Sequence, residues 1–545
     1  MKDSPSTTGR RGAERRVARG VVASYVHQLS ARHRSAGSPA ARASEDGEGH
    51  GTPPASTGDE EMRRRSRVLW PTLVLACLAQ FMVILDVSVV NVALPSIRTG
   101  LGFSEQDLQW VVNAYTVTFA GFLLLGGRAA DLVGRRRVFI TGLLLFALAS
   151  LVGGVADSQG MLIGARAAQG LGAAVVSPAS LSILTTTFRE GAERNRALGA
   201  WGAMGGAGGS AGVLLGGMLT DLLSWRWILF INVPIGLAAA ALSLRFVAPG
   251  RDPSRARNFD LAGAVTATLG LMALVWAIVR TDVNGWGSAQ TIGVMAAGLA
   301  LIAVFLVIEG RLATAPLMPL RIFASRMLSG ANATMFLLGA AMFGMWFFVS
   351  LYLQQVLGYS PLKAGLAFLP MTLTIVVGST LASRAVARVG VKPLLVGGML
   401  AEAVGLLLFA AVSTEGSYLG DVLAPSLIVA AGIGLAFVPI TIAAVAGVDR
   451  SEAGLASGLV NTSRLMGGAL GLAILATLAT SRTDGDLRVG DAVHGALTDG
   501  FHLAFTVGAG FAFVGALVAL VVLRQAKPRP PARPHPEPAP AETTP

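Results

Sequence analysis

The sequence predicts an all-α protein that crosses a membrane fourteen times, and three observations carry that reading. Fourteen apolar stretches run from Leu69 to Leu523, separated by short polar breaks. Each is about long enough to span a bilayer, since a helix needs about 20 apolar residues to cross the hydrocarbon core while satisfying its own backbone. The composition is 53% hydrophobic and 14% charged, with a mean hydropathy of +0.62, which places the chain outside the soluble classes. Finally, the basic residues alternate between loops. Of 43 Lys and Arg, 13 precede residue 69, 22 fall in every second loop and the C-terminal tail, and six lie in the remaining loops. This is the positive-inside pattern, and it implies cytoplasmic termini and an even number of spans. The net charge of +12 therefore reflects topology and calls for no nucleic-acid partner.

Residues 1–68 are polar, rich in Arg, Ser, Gly and Pro, and without sustained periodicity. They read as a disordered cytoplasmic tail, whose basic character also suits contact with anionic lipid. No apolar segment there resembles a signal peptide, so the first span is expected to direct insertion uncleaved. Met62, followed by Arg63, Arg64 and Arg65, resembles an alternative start. The spans are expected at 69–92, 108–130, 138–156, 160–186, 197–220, 226–247, 260–280, 290–310, 329–356, 362–386, 393–412, 420–446, 455–480 and 500–523, with the longest outer loop at 481–499. A Pro-rich tail follows over 524–545. Glycine is abundant, with 67 residues, which suits close helix approach in lipid. Cys77 is the only cysteine, so an intrachain disulfide and a cysteine-based metal cluster are both excluded.

An internal repeat at an offset of 256 residues organises the spans. Leu101, Gly102, Phe103 and Ser104 match Leu357, Gly358, Tyr359 and Ser360, while Arg128 matches Arg384 and Gly134 matches Gly390. The division that follows is a six-helix bundle over 69–250, two inserted spans with linkers over 251–328, and a second six-helix bundle over 329–523. Parallel six-helix repeats hold substrate between their halves.

Four motifs carry chemistry. Leu85-Asp86-Val87-Ser88-Val89-Val90-Asn91-Val92-Ala93-Leu94-Pro95 closes the first span. A carboxylate in an apolar helix is costly and persists by facing a cavity, pairing, or carrying a proton. Burial opposes its charged form, which suits reversible protonation; a structural acceptor is the simpler alternative. Gly127-Arg128-Ala129-Ala130-Asp131-Leu132-Val133-Gly134-Arg135-Arg136-Arg137 forms the turn between spans two and three, where Gly134 permits a tight bend. Asp131, Arg135 and Arg136 can latch neighbouring helix ends by charge-assisted bonds. In span four, Arg166 stays charged and Gln169 shares its face. In span five, Gly199, Gly208, Gly212, Gly216 and Gly217 flatten a helix face for close packing.

In order and placement these strings are similar to the major facilitator superfamily, in its fourteen-span drug:proton antiporter branch (the EmrB/QacA type). The resemblance covers about residues 69–523. It implies two six-helix bundles related by a pseudo-two-fold, with two extra central spans. It also implies proton-coupled export of amphipathic small molecules, Asp86 and Arg166 as the proton-coupling pair, and the Gly127–Arg136 loop as a cytoplasmic gate. Two departures stand out. Leu132 replaces the usual basic residue after the aspartate, and Val213 replaces the usual proline of the glycine motif. Trp225 to Pro234 also resembles the branch and reads as an interfacial anchor. Asn91, Gln169, Gln354, Gln355 and Arg464 are candidate cavity-lining residues. Glu402, inside span eleven, belongs to no branch motif; it reads as a second protonation site or as a tolerated acid. No phosphate-binding Gly-x-x-x-x-Gly-Lys-Ser/Thr string and no catalytic constellation occurs, so neither ATP-driven transport nor an enzyme is expected. No cofactor or metal is expected either. Partners are the cargo, protons and membrane lipids, in the plasma membrane, and a monomer is plausible. A dedicated exporter of one metabolite, lipid or self-made antibiotic is the alternative on the same scaffold.

Overall fold

A computed structural model of the chain describes residues 57–189, 192–249, 260–313, 316–446, 448 and 452–523. It divides into two compact units, Met1–Glu61 and Met62–Pro545. Apart from the first residues of α1, the features below lie in the second unit. The expected tails over 1–56 and 524–545 lie outside the described residues.

Fourteen long helices follow one another: α1 (Thr57–Leu101), α2 (Trp110–Val133), α3 (Arg135–Gly154), α4 (Gln159–Thr187), α5 (Ala192–Leu222), α6 (Asn232–Phe246), α7 (Leu261–Val279), α8 (Ala289–Val307), α9 (Arg326–Leu351), α10 (Leu369–Val389), α11 (Val391–Phe409), α12 (Leu423–Val445), α13 (Ala453–Arg488) and α14 (Val493–Val522). No strand occurs among the described residues. Thirteen helices, with their short flanking turns, are long and apolar enough to cross a membrane. The exception is α5, whose many glycines dilute its hydropathy. The chain is a multi-pass, all-α membrane protein.

Two expected boundaries move. Helix α1 begins at Thr57 and runs through Pro71 and Pro95 to Leu101, so part of the expected tail is helical. The expected outer loop over 481–499 is mostly helix. Helix α13 continues to Arg488, stops at Gly490 with φ +98°, and α14 starts at Val493. Hydropathy marks where lipid ends, not where a helix ends. An i,i+4 pair, Arg482 Nε to Asp486 Oδ2 at 3.0 Å, supports the polar extension.

The repeat is visible in backbone geometry. Gly102 and Gly358 have φ of 66° and 64°, and Gly134 and Gly390 have 112° and 89°, a region that costs an L side chain dearly. Ser104 Oγ accepts from the Asp107 backbone N–H, and Ser360 Oγ does the same for Lys363. The glycine seams repeat as well. In the first half, a Cβ on Gly208, Gly212 or Gly216 would crowd Ile84, Ser88 and Val89 of α1. In the second half, Gly467 and Gly471 of α13 press on Phe336 and Ala340 of α9 in the same manner. Helix α2 packs on α4 within its half and on α13 across the halves, and α7 touches both α2 and α13.

Candidate functional site

Helix α1 has no exposed residue from Leu75 to Arg98, and it places Asp86 (0% exposed) in the interior of the first bundle. Helix α4 brings Arg166 and Gln169, one turn apart, to the same point. Arg166 Nη1 lies 2.5 Å from Asp86 Oδ2, and Gln169 Nε2 donates to Asp86 Oδ1 at 3.1 Å. Arg166 makes two further hydrogen bonds. Its Nε donates to the Val111 carbonyl at 2.9 Å and its Nη1 also reaches Gln169 Oε1 at 2.9 Å. Its guanidinium lies 4.4 Å from the centre of the Tyr115 ring. An ion pair so fully withdrawn from water holds because further hydrogen bonds to both partners offset the cost of burying their charges.

Two further side chains complete the network. Asn232, at the start of α6, donates to Asp86 Oδ1 at 2.8 Å and to Ser150 Oγ at 3.2 Å. Ser150 of α3 also accepts from Gln169 at 3.0 Å and donates to the Leu229 carbonyl at 2.7 Å. Four helices of one bundle thus meet at a single carboxylate, with α2 contributing a carbonyl and a ring.

The neighbouring seam is part of the same structure. Gly212 of α5 faces the Leu85 carbonyl at 2.9 Å and Ser88 Cβ at 2.6 Å, measured from an added Cβ. Ser88 Oγ donates to the Gly209 carbonyl at 2.8 Å. The residues flanking Asp86 are therefore the ones that touch the glycine stripe. Gly217 faces the other half, against Pro361 and Leu362. Gly199 has nothing within 4 Å.

The other expected site residues sit elsewhere. Asn91 Nδ2 donates back to the Val87 carbonyl at 3.1 Å, and its own carbonyl accepts from Ser350 Oγ at 2.6 Å. Gln354 donates to the Val92 carbonyl at 2.9 Å, so Asn91 and Gln354 mark a contact between α1 and the end of α9. Gln355 borders a cavity of about 600 Å³ that also includes Arg98, Glu105, Arg280 and Asp484. Arg464 donates to Asn461 Oδ1 from Nε and Nη2, at 3.2 and 2.8 Å. Glu402 is 0% exposed, and both of its carboxyl oxygens lack a hydrogen-bond partner among the described residues. In the α2–α3 turn, Arg135 Nε donates to Ser182 Oγ at 2.8 Å, and Arg136 reaches the Leu244 carbonyl at 3.4 Å. Gly127 lies close to Pro178. The side chain of Asp131 lies outside the described residues.

The model of the Major Facilitator Superfamily matches residues 76–472 and 331–545. The chain belongs to that superfamily. This major facilitator is 45% identical over 415 residues to the "Cephamycin export protein CmcT" of Amycolatopsis lactamdurans, covering 76% of this chain and 85% of the relative. It is 41% identical over 457 residues to the "Puromycin resistance protein pur8" of Streptomyces alboniger, covering 83% and 90%. Among solved structures, the POT family transporter PepTSo superposes with a TM-score of 0.61 at 14% identity, over 83% of this chain and 97% of that one, a likeness of fold.

Sequence reasoning about this major facilitator singled out Asp86, Arg166 and Gln169 but missed Ser150, Tyr115 and Asn232 as members of the network. Asn232 stood in the Trp225–Pro234 string, which read as an anchor. Its signal was an amide among apolar residues beside a proline. Ser150 offered none, because a serine inside a span is ordinary until its neighbours are known.

Proposed function

We propose that the chain is a proton-driven exporter of amphipathic small molecules that works by alternating access. The observation that carries this reading is the buried pair of Asp86 and Arg166 set on the helix that α5 grips through its glycines. A proton on Asp86 removes half of the pair. Arg166 then keeps Gln169, the Val111 carbonyl and the Tyr115 ring as partners, so the cation is not stranded. The carboxylic acid needs an acceptor for its new O–H. Asn232 Oδ1, without a hydrogen-bond partner among the described residues, supplies one when its amide turns over. Because Leu85 and Ser88 border the α5 seam, a shift of α1 at Asp86 is felt at Gly209 and Gly212, and from there at Gly217 against Pro361 and Leu362 of the second half. Each proton moving inward through 100 mV releases about 2.3 kcal/mol, before any pH gradient.

On this reading, 69–250 and 329–523 are the two moving bundles, 251–328 holds the inserted pair, and 1–68 and 524–545 are cytoplasmic tails in the plasma membrane. The loop around Gly127, Asp131, Gly134, Arg135 and Arg136 latches the cytoplasmic side. Relatives whose names describe antibiotic export and resistance support efflux as the direction. The relative named for cephamycin export favours a second reading, a dedicated exporter of one compound. Uptake into inside-out proteoliposomes with an imposed pH gradient tests both. Several unrelated amphipathic dyes accumulating only with the gradient would support the broad reading. Accumulation of a single compound class would support the dedicated one. Flux indifferent to the gradient would reject proton coupling.

A further inference from the structure

Four ionisable groups lie well inside the apolar stretches: Asp86, Arg166, Glu402 and Arg464. Asp86 and Arg166 neutralise each other and are sealed from the cleft. Glu402 is wholly enclosed. Arg464 alone is partly exposed.

The surroundings of Arg464 do not neutralise it. Its hydrogen bonds go to one neutral oxygen, Asn461 Oδ1, one turn earlier on the same helix. No hydrogen bond or ion pair joins it to a carboxylate among the described residues. A guanidinium has five N–H donors in a planar fork, and two of them reach the same atom here. A cation at this depth without a counter-ion is costly, so the site is incomplete as it stands.

The location of the gap is defined by helix packing. One side of α13 is consumed by α9, through Gly467 and Gly471. Along another side, Ser457, Gly458, Asn461 and Arg464 recur at helical spacing and are all partly exposed. Gly458 on that stripe looks to Leu124 of α2, in the first half. Beyond the second half, α13 is bordered by α2 and α7, so the stripe lies on the side of α13 that meets the first bundle and the inserted pair, and not lipid.

We infer that Arg464 is a cargo-binding residue that receives an anionic group, so that the favoured cargo is an apolar body bearing a carboxylate. This deepens the transport reading above and rests on it. The planar fork suits a carboxylate held by two parallel bonds. Asn461 holds the fork from one side and leaves the other for the ligand. A cationic cargo would add a second positive charge beside Arg464, which has no carboxylate partner among the described residues.

The test is binding, which needs no proton gradient. N-dansyl-phenylalanine and its methyl ester differ in the carboxylate alone, and dansyl fluorescence reports their binding to the purified full chain. The wild type should bind the acid roughly tenfold more tightly than the ester, the scale of one charge-assisted pair. Arg464→Gln should bind both at the ester's level. Equal affinities in the wild type, or a preference that survives Arg464→Gln, would overturn the inference. If Arg464→Gln does not fold, Arg464→Lys decides: a reduced or abolished preference supports the fork, and an unchanged one contradicts it. Failure here leaves gradient-driven flux intact, whereas failure of the transport reading shows as no flux, or flux indifferent to the gradient, for every probe.

Discussion

Asp86 accepts from three side chains on two helices, Arg166 and Gln169 of α4 and Asn232 of α6, and that convergence gives each of them a measurable weight. Asn232→Ala removes a bond to a charged acceptor and leaves Ser150 with one partner fewer. It should lower unfolding stability in detergent by about 1–3 kcal/mol, seen as a reduced thermal midpoint by intrinsic fluorescence, and an unchanged midpoint would remove Asn232 from the network. Glu402 is the opposite case. With neither oxygen bonded, the side chain contributes shape but no polar interaction. Replacing an unsatisfied buried group with an apolar one of similar size is neutral or stabilising, so Glu402→Leu should keep or raise the thermal midpoint and preserve transport. Loss of transport with stability kept would show that Glu402 takes part in the cycle. At this scale the sequence was informative where the chemistry is rare. A carboxylate and an arginine within apolar runs announce themselves, as Asp86 and Arg166 did, and Gln169 followed from helical spacing. Ser150, the Val111 carbonyl and the Tyr115 ring did not, because hydroxyls, carbonyls and aromatic rings occur in every span and only tertiary packing selects among them.

Among the elements, α5 separates what a glycine motif announces from what it does. Gly208, Gly212 and Gly216 form one stripe against α1, Gly217 turns to the second half, and Gly199 touches nothing. Gly212→Ala must displace Ser88 or the Leu85 carbonyl, and should cut transport sharply while the protein still inserts. Gly199→Ala meets open space and should be harmless, or stabilising by up to about 1 kcal/mol through helix propensity. Equal transport by the two variants would mean that the α1–α5 seam has no part in the cycle. The spacing of the glycines was legible, but which of them bear on α1 depends on the rotation of α5, which the sequence does not encode locally. Helix ends show the same limit. Apolar runs located the spans, yet α13 continues to Arg488 because polar residues with an i,i+4 ion pair extend a helix past the lipid.

For the whole molecule, the repeat was readable from a handful of matched residues, and the paired positive-φ glycines give it a physical cause: equivalent turns need equivalent residues. Among the described residues, the first half carries the buried ion pair and the second half a partly exposed interior cation, so the halves share architecture and divide the chemistry. Alternating access requires them to separate where they now touch. In a Cys77→Ser background, Gly217→Cys with Leu362→Cys places two thiols across that contact. Their oxidation should stop transport, and reduction should restore it. Undiminished flux in a cross-linked protein would mean that this contact never opens.

The proposed coupling makes the Asp86–Arg166 pair the form that binds cargo, so that a protonated Asp86 gives up its proton as cargo binds, and this can be measured without a membrane. Purified protein in weakly buffered detergent solution, titrated with a transported ligand beside a pH-indicator dye, should release about one proton per ligand bound at Asp86. Asp86→Asn should bind the ligand and release none from that site. Equal proton release by the wild type and Asp86→Asn would contradict the account.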